Sequence, residues 1–595
     1  MAKRYKIIVL GGGFGGLAAA QKLDRYLWNR KDVEITLINK TDKQVYMTEL
    51  HEVAGNRIPP EGVLYSLKEA LESTRVKLVI DNITRIDVQN KKLYSDSSEY
   101  EFDYLIVGCG SQPTYFGIPG MKENAMTLWS LEDAIKIRDH ILDVFEAASK
   151  EKDPEIRRSL LTFIVGGGGF TGIELVGEFI EWFDELAAKY NISRNEIDLR
   201  VVEALPNILP NFKVDLRTKA ENYLKSHGVK LMTNSAITAV EPDSIALKSG
   251  EKIFTKTFIW TGGVEAEATA AGIEGIEKGR RGKIKVNSFM QTNVPYVYAI
   301  GDCAEYVDEN GVPMPALVES AMQSGECAAR NIASDITGKE KKPLKLNLHG
   351  NMVSIGSKYA VSDAGGIHTS GLIATVLKHA VDMHYLLFAS GIGMVIQYMS
   401  HQFMEKKTKV GFWIHHAKVR TSMTWLVPLR IFLGIQWLIE GINKINSGWL
   451  TTPNLIQTMI PGAAGAVSGA SQAAEAVTSA TQAAPAAAAA APGWYMWFMQ
   501  TFVFPNALFF QWCIALGEAL IGILLILGLL TVLAGLGSIF LNINFMLSGM
   551  GNWWYMMSSI PMLAGAGRSF GLDYWFVPWI AKSFKHWYRG RQKSL

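Results

Sequence analysis

The chain contains one glycine-rich pattern twice, and each copy follows a short apolar run of strand length. The spacing GxGxxG is formed first by Gly11, Gly13 and Gly16 and again by Gly167, Gly169 and Gly172. Between a strand and a helix, such a turn lets the backbone approach a pyrophosphate, which then faces the helix N-terminus. A chain with two such turns must provide two βαβ units. The sequence therefore predicts an α/β architecture with two dinucleotide-binding domains.

The first unit carries an amide where a carboxylate is typical. Its second strand, predicted at residues 34–38, is followed by Asn39. An Asp or Glu at this point commonly bonds the ribose hydroxyls of a dinucleotide. An amide can also bond hydroxyl groups, so Asn39 is a candidate cofactor residue. The residues alone leave the identity of the first ligand open.

The second unit does carry the carboxylate. A predicted strand at Asp198–Val202 is followed by Glu203, which suits ribose hydroxyls and would repel a 2′-phosphate. The next residues, Ala204 and Leu205, offer no arginine to hold such a phosphate. The sequence therefore favours NAD over NADP, and a solvated Glu203 at a strand end is the alternative.

The last part of the chain differs in composition from the rest. Only 12 of the 175 residues at positions 421–595 are charged, whereas the first 420 residues carry 51 basic and 52 acidic side chains. So apolar a segment excludes a purely soluble protein. The balanced first part has no basic stripe, so we expect no nucleic-acid partner.

Four apolar stretches follow, three of them near the ~20 residues that span a bilayer and the fourth shorter. They cover residues 424–443, 508–528, 530–549 and 553–566. Lysines and arginines cluster before the first stretch and after the last, and residues 446–504 contain none. The positive-inside rule then places both termini in the cytoplasm. The sequence predicts an all-α four-helix transmembrane domain, multi-pass in the cytoplasmic membrane, with the lipid bilayer as its partner.

Two further runs extend the nucleotide-binding pattern, FDYLIVGCG at residues 102–110 and VYAIGD at residues 297–302. With the two glycine turns they resemble the flavoproteins that have two dinucleotide-binding domains. The resemblance implies that both domains are Rossmann-like, that the first binds FAD, and that the second, inserted domain binds the nicotinamide nucleotide. It also implies a hydrogen bond between Asp302 and the ribityl side of the flavin, and it makes Gly110 a cofactor-binding residue.

The spacing of the cysteines helps to distinguish between the branches of these flavoproteins. Disulfide reductases and sulfide:quinone enzymes use paired cysteines near the flavin, but the four cysteines here are widely spaced, and we expect Cys303 to be a small buried residue. Oxygenases and ferredoxin reductases remain alternatives. The runs at residues 110–120, 166–178 and 258–264 resemble type II NADH dehydrogenases. That resemblance implies a single-chain, non-pumping NADH:quinone oxidoreductase with FAD, NADH and a quinone substrate, often paired as a homodimer.

The same resemblance assigns roles to single residues. Glu174, in the run FTGIE, matches the acid that lies near the nicotinamide and the flavin, where it tunes the reduced pair or relays protons. A plain carboxylate at a helix N-terminus is the alternative. Lys378 and His384 fall where the C-terminal helices of the family close the quinone pocket. A surface lysine and a surface histidine are the interpretation that the sequence favours for these two.

The quinone motif departs from the family pattern. Where relatives have AQxAxQ, this chain has VESAMQ at residues 318–323. Gln323 matches the motif, whereas Glu319 replaces its first glutamine. A carboxyl beside a quinone oxygen can donate a proton or, when ionised, repel electron density. We expect both side chains to line the pocket, and Glu319 to alter its pH profile and quinone preference.

The few charges within or next to the apolar stretches carry a second resemblance. They are Arg430, Glu440, Lys444, Glu518, Arg568 and Asp573. Their pattern resembles the DoxX family of small four-helix membrane proteins, some of which are associated with quinone reduction. A charged network that only holds the helices together and a quinone or small-solute site are equally supported.

These observations predict the following layout of the chain. An FAD-binding domain covers residues 1–120 and 285–345, and an NADH-binding domain covers residues 121–284. A quinone-pocket and membrane-associating segment covers residues 346–420. A DoxX-like transmembrane domain covers residues 421–581, with an alanine-rich loop at 461–492, and a basic cytoplasmic tail follows at 582–595.

The function expected from the sequence is transfer of two electrons from cytosolic NADH to a menaquinone-type quinone. The electrons would feed respiration or extracellular electron transfer. Two alternatives stay open. One is a flavin-based redox sensor that regulates the DoxX-like module, and the other is an NADH dehydrogenase whose acceptor is a protein.

Overall fold

The computed structural model describes residues 4–390, 392–399, 402, 426–453, 492–548 and 552–579. The chain divides into two compact units, Met1–Lys418 and Val419–Leu595. The basic residues that set the predicted orientation before the first span and after the last lie outside the described residues, as do positions 461–491 of the alanine-rich loop.

The first unit contains two five-stranded parallel sheets, each built around one glycine turn. The first sheet has the strand order Val297–Ala299, Tyr104–Val107, Tyr5–Leu10, Val33–Asn39 and Lys77–Ile80. Its central strands are largely apolar and mostly buried, as parallel strands covered on both faces require. The helix Phe14–Tyr26 follows the first strand and packs against Val318–Thr337.

The second sheet repeats this arrangement. Its strand order is Met126–Thr127, Thr257–Trp260, Thr162–Gly166, Asp198–Val202 and Lys230–Met232. The helix Phe170–Tyr190 follows its central strand. The predicted strand–turn–helix units are therefore confirmed at both glycine patterns. The bounds differ slightly, because Leu160, predicted as the start of a strand, ends the helix Pro154–Leu160 instead.

The remaining elements of the first unit are short sheets and covering helices. The three-stranded antiparallel sheets are Ile83–Asp87 with Lys92–Ser95 and Glu99–Glu101, Ile237–Glu241 with Ser244–Leu247 and Lys252–Phe254, and Gly350–Ser354 with Ala360–Ala364 and Ile367–Ser370. The two-stranded pairs are Lys43–Val45 with Leu64–Ser66, Ser111–Pro113 with Val264–Ala266, and Ile284–Lys285 with Ala304–Glu305. The other α-helices are Leu50–Ala54, Leu67–Leu71, Met121–Asn124, Leu131–Lys150, Val214–Ser226, Ala268–Ala271, Leu372–Ser390 and Ile392–Met399.

The described residues of the second unit form helices and the turns between them, with no strand among them. Its α-helices are Leu426–Asn446, Gly493–Phe498, Ala507–Leu527, Thr531–Leu547 and Trp553–Ser559, and residues 573–579 are also helical. By length and composition, two helices in this part of the chain can cross a membrane, Leu426–Asn446 and Gly493–Leu527. Thr531–Leu547 is apolar but shorter, at 17 residues.

The fourth predicted stretch is not one continuous helix. The helix Trp553–Ser559 gives way to a 3-10 turn at Ile560–Ala564, where Pro561 provides no backbone donor. Gly565 then adopts a left-handed conformation with φ +81°. The fourth apolar stretch therefore does not form a single α-helix over residues 553–566, since proline and glycine end the helix after two turns.

Candidate active site

The first glycine turn has the geometry of a nucleotide cradle. Gly11 has φ +100°, which side chains other than glycine rarely adopt, and a Cβ on Gly16 would lie 1.8 Å from the carbonyl oxygen of Gly11. A Cβ on Gly13, which precedes the helix Phe14–Tyr26, would have no described atom within 4 Å. The backbone N–H of Gly12 donates to Oδ1 of Asn39 at 2.8 Å. Asn39 therefore stabilises the first glycine turn, next to the site where it is predicted to contact the cofactor.

Asp302 and Gly110 lie near the carboxyl ends of strands in the same sheet. The Ser111 hydroxyl donates to Asp302 Oδ2 at 3.0 Å, and burial raises the pKa of this half-buried carboxyl. Gly110 has φ +78° and no described atom within 4 Å of a built Cβ. Ligands bind at this edge of parallel sheets. An open glycine turn, an open Gly110 and a carboxyl whose Oδ1 accepts no hydrogen bond from the described residues fit the pyrophosphate and the polyol chain of FAD.

The second glycine turn follows the same plan. Gly167 has φ +111°, a Cβ on Gly172 would lie 2.0 Å from the Gly167 carbonyl oxygen, and a Cβ on Gly169 would have no described atom within 4 Å. Glu203 accepts hydrogen bonds from the backbone N–H of Gly168 at 2.6 Å and of Leu205 at 2.8 Å. Glu203 is therefore fixed beside the turn and is not simply a solvated residue at a strand end.

Glu174 lies in the first turns of the helix Phe170–Tyr190 and points at the strand Gly350–Ser354. The backbone N–H and the hydroxyl of Ser354 both donate to Oε1 of Glu174 at 3.4 Å. The imidazole Nδ1 of His51 is 3.8 Å from Oε2. Burial raises the pKa of Glu174 to about 8. At neutral pH this carboxyl therefore holds a proton, unlike an ordinary carboxylate at a helix N-terminus.

Glu319 and Gln323 converge on the backbone that precedes the strand Gly350–Ser354. Gln323 donates to the carbonyl oxygen of Asn347 at 2.7 Å and accepts from its N–H at 2.8 Å. Glu319 accepts from the backbone N–H of His349 at 3.0 Å and lies 2.6 Å from its Nδ1. Burial opposes ionisation, yet these bonds hold the pKa of Glu319 below its ordinary value. Both side chains thus fix the segment at residues 347–349.

A buried ionic cluster lies beside Glu174, and sequence reasoning did not anticipate it. Lys378 Nζ donates to Glu49 at 3.0 Å and to Glu52 at 3.1 Å. Arg57 lies 2.5 Å from Glu52 and donates twice to Glu178, at 2.7 and 2.8 Å. All five side chains are buried. The interpretation of Lys378 as a surface lysine is therefore wrong, because its ammonium is enclosed by carboxylates.

More polar groups extend this cluster. Asp382 is 3.7 Å from Lys378 Nζ and accepts from the hydroxyls of Tyr46 at 3.3 Å and Tyr398 at 3.1 Å. Gln402 donates to Glu49 at 2.7 Å and also bonds Glu52. Two cations, Lys378 and Arg57, contact the four carboxyls of Glu49, Glu52, Glu178 and Asp382, so ionisation of all four would leave buried negative charge without a counterion.

The pKa values of the cluster follow the same division. Burial and the charge of Glu52 raise the pKa of Glu49 well above its ordinary value, and burial raises that of Asp382. Burial also opposes ionisation of Glu52, yet Arg57 and Lys378 hold its pKa low. The cluster therefore combines a carboxyl whose ionised form is favoured, Glu52, with two whose protonated form is favoured, Glu49 and Asp382.

One signal in the sequence points towards this cluster. Glu174, Glu178 and Glu181 recur at helical spacing within a largely apolar run, so they share one face of a helix. In the structure each finds a separate partner, and Glu181 accepts from the backbone N–H and the hydroxyl of Ser357 at 2.8 and 2.7 Å. A row of carboxylates on a buried helix predicts buried donors opposite it, but it does not identify them.

In the second unit, five of the six described charged side chains are paired with one another or with backbone groups, and the sixth, Arg568, is exposed. Lys444 donates to both oxygens of Glu518, at 2.8 and 2.7 Å, and lies 3.9 Å from Glu440. Arg430 donates to three carbonyl groups, those of Ala566, Ser569 and Phe570. Asp573 accepts from the backbone N–H groups of Leu530 and Thr531. These contacts support a network that holds the helices together.

The first unit is similar to a known family of proteins. The family model of the pyridine nucleotide-disulphide oxidoreductases matches residues 5–325. A type II NADH:quinone oxidoreductase of Staphylococcus epidermidis is 34% identical over 402 residues, which cover 66% of this chain and 98% of that protein. Its counterpart in Staphylococcus aureus is 32% identical over 404 residues, with the same 66% and 98% coverage. The chain belongs to the type II NADH:quinone oxidoreductases.

A solved structure shares the fold of this family member. NDH2 of Plasmodium falciparum, solved in complex with NADH, superimposes with a TM-score of 0.60 at 18% identity, covering 67% of this chain and 99% of that one. The family model ends at residue 325, so the second unit lies outside it. The resemblance of the second unit to DoxX proteins rests on the sequence pattern alone.

Proposed function

We propose that this chain is an FAD-dependent NADH:quinone oxidoreductase that passes two electrons from cytosolic NADH to a menaquinone-type quinone without pumping protons. The observation that carries the proposal is the placement of Glu174. This carboxyl, protonated at neutral pH, lies at the start of the helix that follows the second glycine turn, and the quinone-motif residues Glu319 and Gln323 hold the backbone that leads to its partner Ser354.

The second glycine turn binds NADH in this proposal. Its pyrophosphate lies at the N-terminus of the helix Phe170–Tyr190, where Gly169 leaves open space, and the helix dipole stabilises the charge. Glu203 bonds the ribose hydroxyls with the lone pairs that the turn leaves free. Because the carboxylate is already fixed by two backbone donors, a 2′-phosphate would meet an immobile negative charge, so NADPH binds poorly.

The first glycine turn, with Asn39, Gly110 and Asp302, holds FAD. FAD bound there would supply the acceptor for hydride from NADH and the carrier of the electron pair to the quinone. Glu174 lies beside the nicotinamide and holds a proton there, so the site carries no extra negative charge when the electron pair arrives. Ser354 keeps this carboxyl oriented through its two hydrogen bonds.

Glu319 and Gln323 act on the quinone side. Their bonds to residues 347–349 fix the entrance of the strand Gly350–Ser354, and the Glu319 carboxyl distinguishes this pocket from the family's two-glutamine motif. We propose that the resulting charge sets the preference for a menaquinone-type quinone and the pH dependence of its reduction.

The domain layout and the membrane topology belong to the same proposal. The FAD-binding domain comprises residues 1–120 and 285–345, the NADH-binding domain 121–284, and the quinone-pocket segment 346–420. Residues 421–581 form a four-span DoxX-like domain whose two ends, with the basic tail at 582–595, face the cytoplasm. Two copies pair through their first units. The apolar helices and the paired intramembrane charges support the spans.

Anaerobic stopped-flow spectroscopy on the detergent-solubilised, FAD-loaded full chain tests the function. NADH should bleach the visible band of the oxidised flavin rapidly, and a menaquinone analogue should restore it. A ubiquinone analogue, mixed at the same concentration, should restore it more slowly. Bleaching that no quinone reverses would instead favour the redox sensor or a protein acceptor, and absence of bleaching by NADH would refute the proposal.

A further inference from the structure

The two polar side chains of the quinone motif are bonded to the segment that they hold. Gln323 uses its amide nitrogen and its amide oxygen on the backbone of Asn347. Glu319 uses one oxygen on the backbone N–H of His349 and the other on the ring nitrogen Nδ1 of the same residue. The polar group that this arrangement leaves open beside the motif is therefore the rest of the His349 imidazole.

His349 has a fixed backbone and an accessible ring. Its backbone N–H donates to Glu319, and its carbonyl oxygen accepts from the backbone N–H of Gly365 at 2.8 Å. The next residue, Gly350, begins an antiparallel strand pair, and a Cβ there would lie 1.8 Å from the carbonyl oxygen of Asp363. The side chain of His349 is largely exposed. The fold thus holds the ring at one place while leaving it open to water and to a ligand.

The contact with Glu319 determines which ring nitrogen is free. The carboxylate lies 2.6 Å from Nδ1, and since an ionised carboxylate only accepts, Nδ1 carries the hydrogen. Burial opposes ionisation of Glu319, yet its bonds to His349 and to the hydroxyl of Tyr385 hold its pKa below the ordinary value. Glu319 and, through it, Tyr385 are the titratable groups that face the ring. Nε2 makes no hydrogen bond to any described residue, so it is the nitrogen that exchanges a proton.

Quinone reduction consumes a proton. NADH, one quinone and one proton give NAD⁺ and one quinol, so the electron pair arrives with one hydrogen and the second hydrogen must come from water. Of the two groups in contact here, His349 is the accessible one, because its side chain is 75% exposed and that of Glu319 is 11% exposed. An exposed imidazole exchanges protons with water directly, and histidine is the most frequent general acid near neutral pH.

We propose that His349 is the general acid of quinone reduction in this chain and that Glu319 is its positioning residue. In the protonated ring, the N–H bond at Nε2 breaks while an O–H bond forms on the quinone oxygen, as the quinone receives the electron pair that NADH supplies. The neutral ring then takes a proton from water at Nε2, and Glu319 keeps the hydrogen on Nδ1 throughout. The assignment rests on the proposed function, because only a quinone acceptor consumes this proton.

Separate half-reactions of the FAD-loaded full chain test the assignment. His349→Ala removes the ring from an exposed position and should leave the backbone contacts of residue 349 in place. It should slow flavin reoxidation by a menaquinone analogue roughly tenfold or more, while flavin reduction by NADH should not change. His227→Ala is the matched control, because His227 is also exposed and its Nδ1 is bonded to the carbonyl oxygen of Tyr223 at 2.8 Å. This control should change neither rate.

Added imidazole separates proton donation from a structural role. Because position 349 is open to solvent, free imidazole should restore part of the lost reoxidation rate in His349→Ala, and it should not affect the unchanged protein or His227→Ala. The restored rate should grow with the concentration of the protonated imidazole, so the rescue should weaken as pH rises. His349→Gln, which offers an amide N–H but no acidic proton, should remain slow.

Each of three results would remove His349 from the reaction. They are reoxidation of His349→Ala within about twofold of the unchanged protein, an equal slowing of both half-reactions, and a slow His349→Ala that imidazole does not restore. Failure of the proposed function gives a different result, because NADH would then bleach the flavin of the unchanged protein and no quinone would restore it. Rapid quinone reduction by both the unchanged protein and His349→Ala would leave the proposed function in place without this acid.

Discussion

The raised pKa of Glu174 makes a quantitative prediction about stability. Raising that pKa from 4.5 to about 8 on folding corresponds to about 5 kcal/mol of preference for the protonated form. Because the folded pKa lies above the unfolded one, the associated stability is complete at low pH and is lost as pH rises from about 4.5 through about 8. Glu174→Gln removes the titration and retains an oxygen that accepts from Ser354.

The expected result is a pH-dependent difference between two melting curves. The Gln variant should be more stable than the unchanged protein, and its advantage should grow by about 3 kcal/mol between pH 6 and pH 9. Thermal unfolding of the FAD-loaded chain in detergent, followed by flavin fluorescence at several pH values, measures it. If the stability difference between the two proteins stayed constant across this pH range, the assignment of a proton to the buried Glu174 carboxyl would be refuted. A change in stability with pH that is the same in both proteins would come from other titrating groups.

Three further predictions follow from particular contacts. Arg57→Met strands buried carboxylates and should destabilise the protein by about 3–5 kcal/mol, and adding Glu178→Met should recover part of that loss in thermal melts. Gly16→Ala should prevent a well-formed first turn, whereas Gly13→Ala should fold but bind less FAD, which the ratio of flavin to protein absorbance reports. A Gly13→Ala variant with the flavin content of the unchanged protein would contradict the cradle. Glu319→Gln should shift the pH profile of menaquinone reduction, and an unchanged profile would remove Glu319 from the quinone side.

The sequence was sufficient for the parts of the fold that depend on local geometry. A glycine that must adopt positive φ, as Gly11 and Gly167 do, and a glycine packed against its own turn, as Gly16 and Gly172 are, leave a fixed spacing along the chain. Such spacing is readable without any tertiary information. The same applies to Glu203, because it directly follows Asp198–Val202, the strand that comes after the helix of the second glycine turn.

The ionic cluster could not be predicted from the sequence in this way. Lys378 is separated from Glu49 and Glu52 by more than 300 residues, and no periodicity links two charged groups that meet only after the fold forms. Lysine is rarely buried in folded proteins, so a buried lysine is not expected from the sequence. Only the three-dimensional arrangement shows why burial is tolerated here, since the ammonium is surrounded by carboxylates that would be unstable without it.

The helix Phe170–Tyr190 connects these observations. Its N-terminal end forms the second glycine turn, Glu174 lies within its first turns, and Glu178, one turn further, is bonded twice by Arg57. A change at the nucleotide site therefore acts on the same rigid element that carries Glu174. Loss of the Arg57 contact should accordingly alter the pH dependence of NADH oxidation as well as stability. A variant that melts earlier yet keeps the original pH profile would show that the two sites on this helix are independent.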